Sequence, residues 1–184
     1  MAGSRSILKA GELDGILEDL AGAVLARHKD CAALAFIGIE RRGVNIASDL
    51  IRRMEKHLGR ALPLGSLDIT LYRDDWTMRG PKPRVGRTRI PFAVEGLTLV
   101  LVDDVLFSGR TVRAALEALA DHGRPGRIEL LVLVDRGHRE LPIHADYVGL
   151  SLDTEQEDRV DVLVREVDGE EGIRLVSGAP PQAA

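Results

Sequence analysis

Residues 99–111 read Leu99-Val100-Leu101-Val102-Asp103-Asp104-Val105-Leu106-Phe107-Ser108-Gly109-Arg110-Thr111. An apolar run that begins at Leu97, broken only by Thr98, meets two adjacent carboxylates. A turn of small and hydroxylated residues follows, and then a helical pattern at Val112, Ala115, Leu116 and Leu119. The expected order is strand, acidic pair, turn, helix.

Such a turn aims backbone N–H groups and the positive end of a helix dipole at an anion. Two carboxylates at the strand end accept from vicinal sugar hydroxyls or hold Mg²⁺. The chemistry is that of a phosphorylated sugar, with phosphate on one side and ribose on the other. A lone acidic residue at a strand end more simply caps the next helix, but the string is thirteen residues long. It lacks the Gly-Lys-Ser/Thr of a Walker loop and the Gly-x-Gly-x-x-Gly of a dinucleotide fold.

Working outward, 184 residues suffice for one domain with a sizeable core. Only six aromatic residues are present, so aliphatic side chains must fill that core. The formal charge of −4 and a pI near 5.8 exclude a global basic field, so any affinity for nucleic acid must be local. Cys31 is the only cysteine, which excludes an internal disulfide or a multi-cysteine zinc site. The first residues carry no apolar signal region and no run is long enough to span a membrane, so a cytoplasmic protein is expected.

On the N-terminal side, Leu13, Ile16, Leu17, Leu20, Val24 and Leu25 recur at helical spacing between Glu12 and Lys29. Ala32 to Ile39 reads as a buried strand, and a second helix follows from Val44 to Leu58. Between them stands Gly38-Ile39-Glu40-Arg41-Arg42-Gly43. Arginines at a strand-to-helix junction combine guanidinium groups with backbone amides, which suits a diphosphate. Leu67, Ile69 and Leu71 alternate with polar residues as a half-buried strand. The polar stretch from Arg73 to Arg89 then carries Arg79, Lys82, Arg84 and Arg87, reads as a basic lid, and holds the only tryptophan, Trp76, expected to pack its base. Ile90 to Val94 and Leu97 to Val102 flank Glu95-Gly96 as a hairpin.

On the C-terminal side, the helix after the quoted string ends near Gly123, and Ile128 to Val134 is another buried strand. It delivers Asp135-Arg136-Gly137-His138-Arg139-Glu140-Leu141-Pro142 at its end, where open α/β sheets bind ligands. Three strand ends thus point at one crevice. No nucleophile or orienting carboxylate is evident beside His138, so it reads as a surface hydrogen-bonding residue. Alternation at Val160, Val162 and Val164, and again at Ile173 and Leu175, predicts a terminal hairpin on the sheet's edge. Residues 177–184 read as a disordered tail to a single domain ending at residue 176.

The quoted string resembles the 5-phosphoribosyl-1-diphosphate (PRPP) loop of type I phosphoribosyltransferases. Leu67-Asp68-Ile69-Thr70-Leu71-Tyr72-Arg73-Asp74-Asp75, the run from Leu133 to Ile143, and Ala145-Asp146-Tyr147-Val148-Gly149 resemble the pyrimidine operon regulator (PyrR) family. The resemblance implies a type I phosphoribosyltransferase fold: an α/β domain with a mostly parallel, Rossmann-like sheet flanked by helices, a flexible basic lid and a small C-terminal hairpin. It implies uracil phosphoribosyltransferase activity with Mg²⁺, homodimers or higher oligomers, and in many members binding of pyrimidine-operon mRNA in a UMP-dependent way.

By position, the resemblance assigns the ribose hydroxyls, and any direct hold on Mg²⁺, to Asp103 and Asp104. It assigns the 5′-phosphate to Val105, Leu106, Phe107, Ser108, Gly109, Arg110 and Thr111, and the diphosphate to Arg41, Arg42 and Gly43. Arg73 and the lid arginines Arg79, Arg84 and Arg87 close over the substrate, while Val134, Asp135, Arg136, Gly137 and His138 frame the uracil edge. RNA-binding members carry Thr, a basic residue and His on the first helix, where this chain has Glu18, Asp19 and Gly22. His144 stands for an Arg, Leu150 for a Lys, and Glu155-Gln156-Glu157-Asp158 for a stretch normally containing Ser and a basic residue. Arg27, His138 and Arg139 remain as candidate RNA contacts. Two rival readings share the fold: a regulator of pyrimidine-operon RNA with vestigial catalysis, and a transferase for hypoxanthine, guanine or orotate.

Overall fold

The computed structural model describes residues 3–29, 31–74 and 86–178. In chain order the elements are β1 (Gly3–Lys9), α1 (Ala10–His28), β2 (Leu34–Ile39), α2 (Arg42–Leu58), β3 (Leu64–Leu67) and β4 (Thr98–Leu106). There follow α3 (Arg110–Ala120), β5 (Arg127–Asp135), β6 (Tyr147–Ser151), β7 (Arg159–Leu163), α4 (Arg165–Asp168) and β8 (Gly172–Ser177).

A five-stranded sheet in the order β3-β2-β4-β5-β6 is parallel throughout. Its central strands are apolar runs because both faces are covered, as parallel sheets require. Side chains alternate between the faces. Phe36, Val100, Val102, Leu131 and Leu133 pack with α1 and α2 through Leu17, Val24, Leu50 and Met54. Ile37, Leu99, Leu101 and Val132 pack with α3 through Val112, Ala115 and Leu119. The core is aliphatic, with Phe36 the one phenylalanine among its largest fully buried side chains. At Gly43 a Cβ would lie 2.3 Å from the carbonyl oxygen of Val102, so only glycine lets the start of α2 press against the end of β4. That approach sets the arginine turn beside the acidic pair.

The structure departs from the expected elements in several places. The strand expected over Leu67–Leu71 ends at Leu67, because Asp68 Oδ1 accepts from the Thr70 N–H at 2.9 Å and turns the chain, leaving Leu71 exposed. No hairpin forms at Glu95-Gly96, although Gly96 does make a turn at φ +73°. Pro91 lacks a ladder donor, and Ile90, Phe92 and Val94 pack on the α3 side instead. A single antiparallel bridge, Ser66 to Arg89, is all the pairing this segment makes.

The terminal hairpin exists as β7 and β8 but does not extend the main sheet. β8 pairs on its other side with β1, giving a separate antiparallel sheet in the order β1-β8-β7. Ser177 closes β8 rather than opening a tail, and residues 179–184 lie outside the described residues. So do Trp76, Arg79 and Arg84 of the expected lid. β1 and the edge strand β6 carry no clear period-two signal: Ser4, Arg5 and Ser6 are exposed polar residues whose partner lies at the far end of the chain.

Candidate active site

A cavity of about 720 Å³ opens at the C-terminal ends of β2, β4 and β5 and is walled opposite by β7. Glu40, Arg41 and Arg42 enter it from the turn before α2, Arg73 from the start of the expected lid, and residues 103–109 with Thr111 from the end of β4. Arg136 and residues 156–162 complete the wall.

The acidic pair is held by its own backbone. Asp103 Oδ1 accepts the Asp104 N–H at 3.0 Å, and Asp104 Oδ1 accepts the Val105 N–H at 2.8 Å. Burial pushes the Asp103 carboxyl well above the usual carboxylate range, and the charge of Asp104 adds to it; the Asp104 N–H and the Arg73 charge oppose. Burial raises Asp104 as well, against the neighbouring Arg42 charge. Adjacent buried carboxylates of this kind are complemented by sugar hydroxyls or a cation. No group of three or more His, Cys, Asp or Glu among the described residues is placed to hold a metal. Two adjacent carboxylates are a donor set that suits Mg²⁺ holding its other ligands elsewhere.

In the turn that follows, Ser108 is buried and Gly109 precedes α3 at φ +91°. Gly109 at the N-cap offers no side chain, and Ser108 Oγ accepts the Arg110 N–H at 3.4 Å. The turn's carbonyls are occupied from behind: Ser108 O accepts the N–H groups of Glu140 at 3.0 Å and Leu141 at 3.1 Å, and the Arg139 guanidinium donates to Phe107 O at 2.8 Å. What the turn has left to offer a ligand is N–H groups and the positive end of α3. Arg110 does not line the cavity. It reaches Asp74 at 2.8 Å and Glu140 at 2.6 Å, and Arg113 reaches Asp74 at 2.6 Å, clamping the first residues of the expected lid to α3.

In the turn before α2 the Glu40–Arg41 peptide is cis, and neither an acidic first-turn residue nor a side-chain cap offsets the start of the helix. Arg42 donates from Nε and Nη2 to the Asp168 carboxylate at 3.1 and 2.9 Å. Of the five residues expected to frame a base, only Arg136 lines the cavity. It is buried, lies 3.9 Å over the Phe107 ring, and donates to the carbonyls of Glu155 at 2.9 Å and Gln156 at 3.2 Å. Burial lowers its guanidinium pKa. Val134 is buried in the core, and Asp135 is taken by Arg139 and the Gly137 N–H. Exposed His138, at φ +59°, hydrogen-bonds Thr154 O at 2.7 Å. The wall at 156–162 escaped the sequence reading because its valine alternation signalled a hairpin without its position.

The other candidate positions lie away from the cavity. Arg27 pairs with buried Glu129 at 3.1 Å and with Asp146 at 3.3 Å. Glu129 also receives Tyr147 Oη at 2.7 Å and His28 Nε2 at 2.8 Å. Arg139 is spent on Asp135 and the carbonyls around the phosphate turn, so it is not a surface cation. Glu18 accepts from Arg53 of α2 at 3.1 Å, and Asp14 pairs with the same guanidinium. Asp19, His144 and Arg87 are exposed, whereas Leu150 packs partly against the core.

A profile of the phosphoribosyl transferase domain matches residues 8–165. "Bifunctional protein PyrR" of Chloroflexus aurantiacus is 48% identical over 179 residues, covering 97% of this chain and 98% of that protein. The protein of the same description from Thermus thermophilus is 50% identical over 169 residues, covering 92% and 93%. Among solved structures, a hypoxanthine phosphoribosyltransferase from Staphylococcus aureus superposes with a TM-score of 0.67 at 22% identity, over 92% of this chain and 90% of that one. One from Trypanosoma cruzi gives 0.68 at 16% identity, over 94% and 90%. At these identities the structures speak for the fold alone.

Proposed function

The chain belongs to the phosphoribosyl transferase domain family and within it to the PyrR proteins, and on that premise we propose that its cavity joins uracil to the ribose 5-phosphate of PRPP, giving UMP and diphosphate. One observation carries this reading: the acidic pair, the N–H-presenting turn and the arginine turn open on a single cavity at the ends of adjacent parallel strands.

The turn from Val105 to Thr111 wraps the 5′-phosphate and offers it the N–H groups that the Asp104 carboxylate and the Ser108 hydroxyl do not take. Asp103 and Asp104 accept from the ribose hydroxyls and fix the ring. The bond from the anomeric carbon to diphosphate breaks, the carbon becomes oxocarbenium-like, and uracil N1 closes the new bond as its proton passes to the released diphosphate or to solvent. The carboxylates below the ring stabilise the developing positive charge, while Arg41 and Arg42 receive the negative charge of the leaving group. Mg²⁺ bound to the diphosphate would supply further neutralisation of that group. Alignment by the two turns provides the rest, and no protein nucleophile is needed.

Purified protein should form UMP from uracil and PRPP, with loss of turnover in a chelator and recovery on adding Mg²⁺. Folded protein that forms no UMP refutes the reading. Hypoxanthine, guanine and orotate competing in the same assay decide the base. The description of the relatives as bifunctional supports a second role; the family resemblance makes that role UMP-dependent binding of pyrimidine-operon mRNA, by a homodimer or larger assembly. Because Arg27 and Arg139 are engaged within the fold and Glu18 and Asp19 are acidic, that binding should be weak and lost in moderate salt. Leader-RNA titrations with and without UMP, and light scattering, measure the two. No described helix is long and apolar enough to cross a membrane.

A further inference from the structure

From the geometry around Arg42 we infer that Asp168, on the short helix of the small sheet, is a positioning residue for diphosphate: it holds the Arg42 guanidinium in the orientation that receives the leaving group. The inference rests on the proposed transferase reading and adds to it a residue 126 positions away in sequence.

Arg42 is the first residue of α2, where the helix dipole is positive and repels a cation. Its neighbour Arg41 is a second cation, and the first turn has no acidic residue. Left alone, this guanidinium would swing away from the helix start and from Arg41. Asp168 prevents that with a fork: Oδ2 accepts from Nε and Oδ1 from Nη2. A bidentate pair fixes the plane of the guanidinium as well as its place. Of the five N–H donors of an arginine, two are taken and the others stay available to an anion.

Asp168 is itself built in. Its Oδ2 also accepts the Val164 N–H at 2.9 Å, its own N–H bonds Val164 O at 2.7 Å, and its side chain is mostly buried. The Arg42 hydrogen bonds, helped by the Val164 N–H, hold its carboxyl below the usual range, so it remains a carboxylate. Val164 is buried in the core, and the short helix joins β7, whose residues wall the cavity, to β8. The fork therefore ties the small sheet to the turn before α2. A carboxylate that took every donor of Arg42 would compete with diphosphate; here the described residues engage two of the five.

The test compares full-length wild type, Asp168→Asn, Asp168→Glu, Arg42→Lys and Arg42→Lys/Asp168→Asn. The readouts are Tm, binding of inorganic diphosphate with Mg²⁺, and KM for PRPP and uracil separately. Asp168→Asn keeps an acceptor for Val164, so Tm should change little while diphosphate binding weakens about tenfold. kcat/KM for PRPP should fall by at least the same factor, with KM for uracil within about twofold. In the Arg42→Lys background Asp168→Asn should change diphosphate binding less than about threefold, since the fork is already gone. Asp168→Glu, which keeps the charge, should recover most of the affinity, and it decides the matter should the Asn variant not fold.

Diphosphate binding that is unchanged or tighter in Asp168→Asn overturns the inference, the latter marking Asp168 as a competitor. An equal loss in the Arg42→Lys background, or an equal rise in KM for uracil, overturns it as well. Wild-type protein that binds diphosphate but makes no UMP would sink the transferase reading alone.

Discussion

Asp103→Asn should make the protein more stable and nearly inactive. Asp103 is buried, its neighbour Asp104 carries like charge, and the opposition comes from one backbone N–H at 3.0 Å and the charge of Arg73. Asn keeps the acceptor for that N–H and replaces the second oxygen with an amide that repels nothing. Removing an incompletely compensated charge of this kind gains about 1–2 kcal/mol. For a chain of this length each kcal/mol moves Tm by about 2–4 °C, so a rise of about 2–8 °C is expected. Activity should fall by about 10²–10³ in kcat/KM, because a charge that stabilises the oxocarbenium-like centre is gone.

The pH dependence fixes the cause. Since burial raises the Asp103 pKa on folding, the native protein holds this proton more tightly than the unfolded chain. Wild-type stability therefore declines as pH rises from the ordinary carboxylate range through the raised native value, and Asp103→Asn lacks that step. The Tm gap should be widest above the native pKa and close as pH falls towards the ordinary range. Thermal melts across pH, in a chelator and without PRPP, read it directly. A variant that melts lower than wild type, or a gap that does not vary with pH, refutes the argument.

Gly43→Ala drives a methyl to 2.3 Å from the Val102 carbonyl oxygen, and should cost about 2–3 kcal/mol in urea unfolding and raise KM for PRPP by displacing Arg42. Unchanged unfolding would show that α2 can move aside. Arg136→Met removes a buried, partly unsatisfied guanidinium, so stability should stay within about 1 kcal/mol. Untethering Glu155 and Gln156 should raise KM for uracil about tenfold and leave KM for PRPP nearly alone, which steady-state kinetics would separate. Glu129→Gln breaks the cluster with Tyr147, His28 and Arg27 and should destabilise by about 3 kcal/mol with normal KM values. Burial pushes Glu129 up, but the Tyr147 and His28 hydrogen bonds bring it below the usual range, so its contribution is present at neutral pH and lost as pH falls through the native value. Acid unfolding of the variant should accordingly be less steep.

The central strands were legible because burial on both faces leaves a continuous apolar run at Leu34–Ile39, Leu99–Val102 and Leu130–Val134. That the acidic pair and the turn after it line one cavity was legible because both lie within one contiguous string. What was not legible depends on partners distant in the chain. β1 is a strand because β8 lies beside it, and Arg42 is oriented by a residue of the small sheet. Arg139 reads as a surface cation in the sequence and is a brace behind the phosphate turn in the fold. Pro91 shows how a period-two pattern fails when one residue cannot donate to a ladder.

The same distinction bears on the acidic face of α1. Glu18 is not an idle replacement for an RNA-binding group: together with Asp14 it takes Arg53, and so closes α1 against α2. Their effect on a polyanion is set by what that arginine leaves uncompensated. Arg27 and Glu129 sit at the N-terminal end of β5, and Arg136 follows its C-terminal end. Seven residues of extended chain separate Glu129 from Arg136, about 23 Å. A mononucleotide in the cavity does not reach Arg27 itself across that span. The route through the protein between them runs along β5 or through α1, which contacts β6 next to it, and the Glu129 cluster is where both elements meet.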